Sequence, residues 1–217
     1  MYVGTSLSDI AYGSLGDKSI FIITDGYYAY TSVDGEKWDA VNMNLTEGFA
    51  NVIEFGENRC VAAGLKVIAY SDDGENWTQI PINDIAINDF SYDISRFQCY
   101  SLAYGNGKFV AGLGSHVIIS EDGINWSLKS TSLTNGDTFF KNANTYYLSF
   151  ADGLFIASYG YLYFVSTDGV EYTMHEINQE GGFGSNRYLT GIGNIFLATG
   201  QYGRLLVSRD KCQTWEE

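Results

Sequence analysis

Carboxylates and histidines are the side chains of this sequence that could carry out acid–base chemistry. With 26 acidic residues, two carboxylates at the separation that a glycosidase needs could occur in many places, and no pair stands out. His116 is expected to be a half-exposed strand residue and His175 to lie in a connection. Neither has neighbours typical of a Ser/His/Asp triad or a zinc site. The sequence therefore predicts no catalytic residue, no metal site and no cofactor.

A seven-residue pattern recurs along the chain. It reads Ser-x-Asp-Gly-x-x-Trp at residues 32–38, 71–77 and 120–126, with Tyr replacing Trp at 166–172. A fifth copy at 208–215 is one residue longer, and Cys212 replaces Gly in it. In a turn, Asp accepts backbone N–H groups, Gly supplies a positive φ, and the aromatic ring packs on the preceding segment. Each copy is predicted to be a hairpin corner.

The spacing of these copies predicts a repeat architecture. Their aspartates are residues 34, 73, 122, 168 and 210, so the intervals are 39, 49, 46 and 42 residues. Four-stranded propeller blades need about 40–50 residues each. Three short apolar runs separated by turn residues precede each copy, and the aromatic residue opens a fourth. The predicted fold is all-β: a five-bladed β-propeller of four-stranded antiparallel blades.

Residues 1–217 are predicted to be one domain. Its blades are expected at about residues 8–42, 50–81, 98–130, 145–176 and 187–217. Residues 1–5 are expected to complete the last blade as an N-terminal strand and close the ring, with a capped open arrangement as the alternative. The connections at 43–50, 81–97, 129–144 and 174–187 are predicted to be irregular, and long loops of this kind often carry function.

Composition excludes several partners. A net charge of −14 disfavours binding to nucleic acid, and no apolar run is long enough to insert into a membrane. The N-terminus lacks the basic and apolar regions of a signal peptide, and three unpaired cysteines favour a reducing compartment. Synthesis in the cytoplasm is expected.

The repeated pattern resembles the Asp-box, the bacterial neuraminidase repeat of sialidases and other propellers, from about residue 8 to 217. In that family the box joins the third and fourth strands of a blade, at the rim away from the ligand. The resemblance implies a structural role for Ser32, Asp34, Trp38, Ser71, Asp73, Trp77, Ser120, Asp122, Trp126, Ser166, Asp168, Tyr172, Ser208, Asp210 and Trp215.

Two further motifs bear on the expected function. The Arg-Ile-Pro segment of sialidases is absent and the arginines occupy unlike positions in the repeats, so sialidase activity is not expected. The segment Tyr-Gly-Asn-Gly-Lys-Phe-Val-Ala-Gly at residues 104–112 resembles repeats of uncharacterised phage and bacterial proteins.

The face of the ring opposite the boxes is the expected ligand face. Aromatic side chains there could stack on sugars or form a protein hot spot, although some could simply pack between blades. The candidate residues are Tyr27, Arg96, Phe139, Phe140, Tyr159, Tyr161, Phe183 and Tyr202.

The favoured hypothesis is a non-enzymatic scaffold that binds other protein subunits, as a structural or attachment component of an assembly such as a phage virion. The alternative is a lectin-like propeller that binds a surface glycan. A glycosidase with an acidic pair is a further alternative.

Overall fold

The fold is given by a computed structural model that describes residues 6–87, 92–113, 116–133, 147–159, 162–177, 188–200 and 203–217, without the side chains of Ile87 and Tyr159. The expected closing strand at residues 1–5 lies outside the described residues. So do five of the candidate ligand residues: Phe139, Phe140, Tyr161, Phe183 and Tyr202.

Five small sheets form a five-bladed β-propeller, which confirms the predicted fold class. Blade 1 consists of β1 (Asp9–Leu15), β2 (Lys18–Thr24), β3 (Tyr28–Ser32) and β4 (Asp39–Asn42). Blade 2 consists of β5 (Phe49–Phe55), β6 (Cys60–Leu65), β7 (Val67–Ser71) and β8 (Thr78–Gln79). Blade 3 contains β10 (Ser101–Gly105), β11 (Lys108–Gly112), β12 (His116–Ser120) and β13 (Ser127–Ser130). Blade 4 contains β15 (Tyr147–Ala151), β16 (Leu154–Tyr159), β17 (Leu162–Ser166) and β18 (Glu171–Glu176). Blade 5 contains β19 (Tyr188–Ile192), β20 (Ile195–Thr199) and β21 (Leu205–Ser208).

Two connections that were expected to be irregular contribute short outer strands. β9 (Ala86–Ile87) pairs with β13 in parallel, and β14 (Ser132–Leu133) pairs with β18 in parallel. Each satisfies backbone groups on the outer edge of a blade, where unpaired N–H and C=O groups would otherwise face solvent. The first connection also contains two 3-10 turns, Ile82–Asp84 and Ile94–Arg96.

The five repeated turns share one hydrogen-bond pattern. In each, Ser donates to the Asp Oδ1 atom at 2.8–3.1 Å. The Ser hydroxyl accepts a backbone N–H at 2.8–3.0 Å, from Gly in four copies and from Cys212 in the fifth. Cys212 adopts the positive φ, 66°, that glycine supplies elsewhere. The N–H groups of Lys37 and Glu36 lower the pKa of Asp34.

The hairpin order gives the ring two different ends. We call the end with the repeated turns and the β1–β2-type turns the heptad end. The opposite end carries the β2–β3-type loops and the connections between blades, and we call it the connection end. At the heptad end, basic side chains reach the next blade: Arg59 donates to the Asp122 carbonyl, and Lys108 donates to the Asp168 carbonyl at 3.4 Å.

Apolar clusters lie between consecutive blades. They join blades 1 and 2, 2 and 3, 3 and 4, and 4 and 5, with Ile20, Phe109, Phe155 and Phe196 among their fully or nearly fully buried members. These clusters stabilise the ring because each sheet buries a face against its neighbour.

The interface between blade 5 and blade 1 differs from the others. Among the described residues, no apolar cluster joins these two blades. In blade 3, Tyr104 and Phe109 pair across the first hairpin with ring centroids 4.7 Å apart and pack toward blade 2. The equivalent pair in blade 1 is Tyr12 and Phe21, with ring centroids 4.4 Å apart, but here Tyr12 is 60% exposed and Ile10 on the same strand is 56% exposed. The side of blade 1 that faces blade 5 is therefore more exposed than the corresponding side of blade 3.

Candidate binding site in the central channel

A cavity of about 540 Å³ lies on the axis of the ring. All five blades line it through the beginnings of their innermost strands and the residues just before them, at residues 8–12, 51–54, 100–102, 147–149 and 188–190. Because these segments follow the connections between blades, the cavity lies toward the connection end. That is the end where the sequence places the ligand face.

Polar side chains in the cavity bond to the inner edges of the strands. An innermost strand has a hydrogen-bonded neighbour on one side only, so its other edge faces the channel. Asp9 accepts the Ile53 N–H at Oδ2 and the Ile10 N–H at Oδ1, both at 2.9 Å. Glu54 accepts the Phe55 N–H at Oε1, also at 2.9 Å. These carboxylates thus satisfy part of the exposed strand edge.

The cavity is acidic. Asp9 and Glu54 are its two carboxylates, and none of its described lining residues is basic. Burial raises the pKa of Glu54 to about 7; the Phe55 N–H opposes this shift and the charge of Asp9 adds to it. Burial also raises the pKa of Asp9, against the hydrogen bonds from Ile53 and Ile10. At neutral pH, Glu54 is therefore divided between its neutral and charged forms.

Tyrosines give the cavity an aromatic wall. Tyr12, Tyr100, Tyr147 and Tyr188 all line it. The rings of Tyr147 and Tyr188 lie 4.3 Å apart between centroids, and they are 45% and 55% exposed. Such rings offer an apolar face together with a hydroxyl group, which suits ligands that are partly polar.

One hydroxyl group in the cavity wall is unpaired. Ser101 is only 5% exposed, and its Oγ atom has no hydrogen-bond partner in the part of the chain that the structure describes. Buried hydroxyls normally have a partner, so this group has hydrogen-bonding capacity to offer.

The two candidate ligand residues whose side chains the structure describes lie elsewhere on the connection end. Tyr27 is exposed on the β2–β3 loop of blade 1. Arg96 ends a 3-10 turn and forms an ion pair with Asp93 at 3.4 Å. Neither lines the cavity, and Tyr159 is described only through its backbone.

Sequence reasoning missed the residues of the cavity itself. A signal was available, because a Tyr-Leu pair begins the innermost strand of both blade 4 and blade 5, at residues 147–148 and 188–189. Asp9 and Glu54 have no comparable repeat signature.

The histidines are placed in packed surroundings. His116 is buried at 9% exposure, with its ring 5.1 Å from that of Tyr92, so the expectation of a half-exposed residue was wrong. It begins β12, and Tyr92 from the connection before blade 3 packs beside it. His175 lies in β18 rather than in a connection, so that expectation was also wrong; its ring stacks on that of Tyr163 at 5.1 Å, and burial lowers its pKa. Within the described ranges, no three His, Cys, Asp or Glu side chains are grouped as metal ligands, and no helix is long and apolar enough to cross a membrane.

Comparison with known proteins identifies structures of similar fold but no family. No protein-family model matches the chain, and no curated protein matches its sequence. The chain is similar to the structure of YCF48 bound to a D1 peptide, with 16% identity and a TM-score of 0.64 over 97% of this chain and 65% of that one. It is also similar to an ancestral GH74 enzyme, with 15% identity and a TM-score of 0.67 over 98% of this chain and 31% of that one. The WD40 β-propeller domain of Doa1 matches with 11% identity and a TM-score of 0.60, over 99% of this chain and 68% of that one.

At these identities the likeness establishes the propeller fold alone. The chain spans less than two thirds of the YCF48 chain and less than one third of the GH74 enzyme. The Asp-box assignment stays a prediction from the residues, since no family model matches.

Proposed function

We propose that this propeller is a non-enzymatic interaction module that binds another protein at its connection end. The observation that carries the proposal is the axial cavity, which all five blades line. One ligand there could reach strand edges, several tyrosines and the two carboxylates of Asp9 and Glu54. A partner segment could hydrogen-bond to the free strand edges and place side chains against the tyrosines. The YCF48 structure, in which a propeller is bound to a D1 peptide, supports a peptide segment as the type of ligand.

The proposed setting is a larger assembly, such as a phage virion, in which this chain is a structural or attachment component. The resemblance of residues 104–112 to repeats of phage and bacterial proteins supports this setting. The acidic surface, with a net charge of −14, suits partners that present basic patches.

Selective loss of partners tests the proposal. Tyr188→Ala alters the mouth of the cavity, and Val33→Ala removes a similarly exposed side chain at the heptad end; their exposures are 55% and 62%. The wild type and Val33→Ala should capture the same proteins from the native host, and Tyr188→Ala should fail to capture them. The wild type and the two variants should have the same melting temperature. Equal capture by both variants, or no specific capture by the wild type, would contradict the proposal.

A carbohydrate ligand is the second candidate, and the exposed pair of Tyr147 and Tyr188 favours it. Stacked or adjacent aromatic rings can bind the apolar face of a sugar. A glycan array with the wild type and Tyr188→Ala decides this point. Glycan binding that disappears in the variant would support a lectin-like propeller, and a blank array would remove this candidate.

A glycosidase needs a proton donor and a second carboxylate, and Asp9 and Glu54 lie in one cavity. Both already accept backbone N–H groups, so we propose that they serve binding rather than hydrolysis. Turnover of aryl glycosides by the wild type that is abolished in Glu54→Gln would replace the binding proposal with an enzymatic one.

A further inference from the structure

The carboxylates in the cavity differ from those at the surface of the ring. Several surface carboxylates have basic partners, such as Asp72 with Arg59 at 2.7 Å and Glu217 with Arg204 at 2.8 Å. Asp9 and Glu54 form no ion pair with any residue that the structure describes, although they lie in a half-buried place where an unpaired charge is costly. The cavity therefore has a negative charge for which the described chain supplies no positive group.

These carboxylates also keep hydrogen-bonding capacity. Glu54 uses Oε1 to accept the Phe55 N–H, and its Oε2 atom has no partner among the residues described. Asp9 accepts one N–H at each oxygen. Since an ionised carboxylate has about four acceptor sites, both groups can accept further hydrogen bonds from a ligand.

The unpaired Ser101 hydroxyl is an independent indication of a missing ligand. It is buried in the wall of the same cavity, on the innermost strand of blade 3, whereas Asp9 and Glu54 come from blades 1 and 2. A ligand N–H group could donate to this oxygen, and the hydroxyl would then no longer be buried without a partner.

The tyrosines suit a cation. A Lys or Arg group over an aromatic face is attracted by the ring. The chain itself has such a contact, in which the Arg59 guanidinium lies 4.6 Å from the centre of the Tyr70 ring. Tyr12, Tyr147 and Tyr188 present comparable rings around the acidic groups of the cavity.

We infer that the central cavity receives one lysine or arginine side chain from the bound partner protein. This inference rests on the proposed function and specifies which type of partner side chain enters the cavity. The charged end of the side chain lies against Asp9 and Glu54, and its methylene groups pack on tyrosine rings. A divalent metal fits less well, because Ca²⁺ requires six to eight oxygen ligands and the cavity offers two carboxylates that are already partly engaged.

The test is a nuclear magnetic resonance titration of the full chain. The probes are N-acetyl-lysine N-methylamide and N-acetyl-arginine N-methylamide, with N-acetyl-norleucine N-methylamide as the neutral control. The backbone amides of Ile53 and Phe55, which donate to the two carboxylates, report on the site. A basic probe should shift both amides and the neutral probe should not. Glu54→Gln should weaken binding of the basic probe about tenfold or more, as expected for a lost charged partner worth about 1.4 kcal/mol.

Glu54→Gln keeps an oxygen that can accept the Phe55 N–H, so it should fold. Ser101→Ala is a second variant, and it should also weaken binding while its melting temperature stays the same or rises. Equal shifts with the neutral probe, or no shift of the Ile53 and Phe55 amides with either basic probe, would overturn the inference. If Glu54→Gln still captures the partner proteins of the wild type, the inference fails while the proposed function stands. If the wild type captures none, the proposed function itself fails.

Discussion

Glu54→Gln should stabilise the propeller above neutral pH, because the native fold holds this carboxyl group in a half-buried channel beside Asp9. Burial raises the pKa of Glu54 from 4.5 to about 7. At about 1.36 kcal/mol per pKa unit, this rise corresponds to about 3 kcal/mol of unfolding free energy. Glutamine has no charge to desolvate and can still accept the Phe55 N–H. The variant should recover most of that free energy.

The sign follows from which state binds the proton. Between pH 4.5 and about 7, the unfolded chain releases the Glu54 proton while the native chain retains it. The free energy of unfolding therefore falls as the pH rises through this window and then levels off. Asp73 acts in a different window: despite desolvation, hydrogen bonds from Asn76 and Glu75 lower its pKa from 3.8 to about 2, so its contribution is lost only as the pH falls below 4. The lowered pKa of His175 makes stability rise with pH just below pH 6.5, which opposes the fall caused by Glu54. Because His175 is present in both proteins, the difference in stability between wild type and variant isolates the effect of Glu54.

Urea unfolding at pH 4 and pH 8 measures this difference. The wild type and Glu54→Gln should have similar stability at pH 4, and the variant should be more stable by about 2–3 kcal/mol at pH 8. Glu57→Gln removes the same charge from an exposed neighbouring turn and serves as the control. Parallel pH profiles for the wild type and Glu54→Gln would refute the reasoning, because they would show that Glu54 ionises in the native state as it does in the unfolded chain.

Three further predictions use urea unfolding at one pH. Gly123→Ala should destabilise more than Gly35→Ala: both glycines have a φ of 73°, but an added Cβ would lie 3.0 Å from blade 2 side chains at Gly123 and 4.0 Å from its nearest neighbour at Gly35. Backbone strain should lower the free energy of unfolding of each variant by about 1 kcal/mol, and overpacking should lower it by about 1–3 kcal/mol more at Gly123 alone. Equal losses of stability in the two variants would contradict the conclusion that blade 1 is more exposed on the side that faces blade 5. Leu102→Ala should cost about 2–5 kcal/mol, and Ile10→Ala, at the equivalent position of blade 1 where the side chain is 56% exposed, should cost clearly less. Ser120→Ala should cost about 1–2 kcal/mol because it leaves the buried Gly123 N–H without its acceptor; an unchanged midpoint would argue against that role.

The turns and the strand order were predictable because their causes are local. In each repeated turn, the Ser and Asp side chains bond to groups two to four residues away, so a short pattern specifies the corner. The alternating apolar runs then predict three strands before each turn and one after it. The two parallel outer strands, β9 and β14, were missed because a two-residue pairing depends on the path of the chain around the ring.

The cavity could not be predicted in the same way. Asp9 accepts the Ile53 N–H, 44 residues away, and only the packing of blade 1 against blade 2 brings them together. The loops that carry Tyr27 and Arg96 were identifiable as candidates because loops often bind ligands. The residues of the cavity lie instead at the beginnings of the innermost strands, to which that rule does not apply. The more exposed contact surface of blade 1 left no such signal in the sequence, because Tyr12 and Phe21 match the aromatic pair of blade 3 and the difference lies in the exposure of Tyr12.

Site-specific photo-crosslinking tests most directly whether the connection end binds a protein. A photoreactive phenylalanine replaces Tyr188 at the mouth of the cavity in one variant and Val33 at the heptad end in the other, and both positions are more than half exposed. After irradiation in the native host, Tyr188 should yield a discrete covalent adduct with one protein, and Val33 should not yield it. The same adduct from Val33, or none from Tyr188, would contradict binding at the connection end.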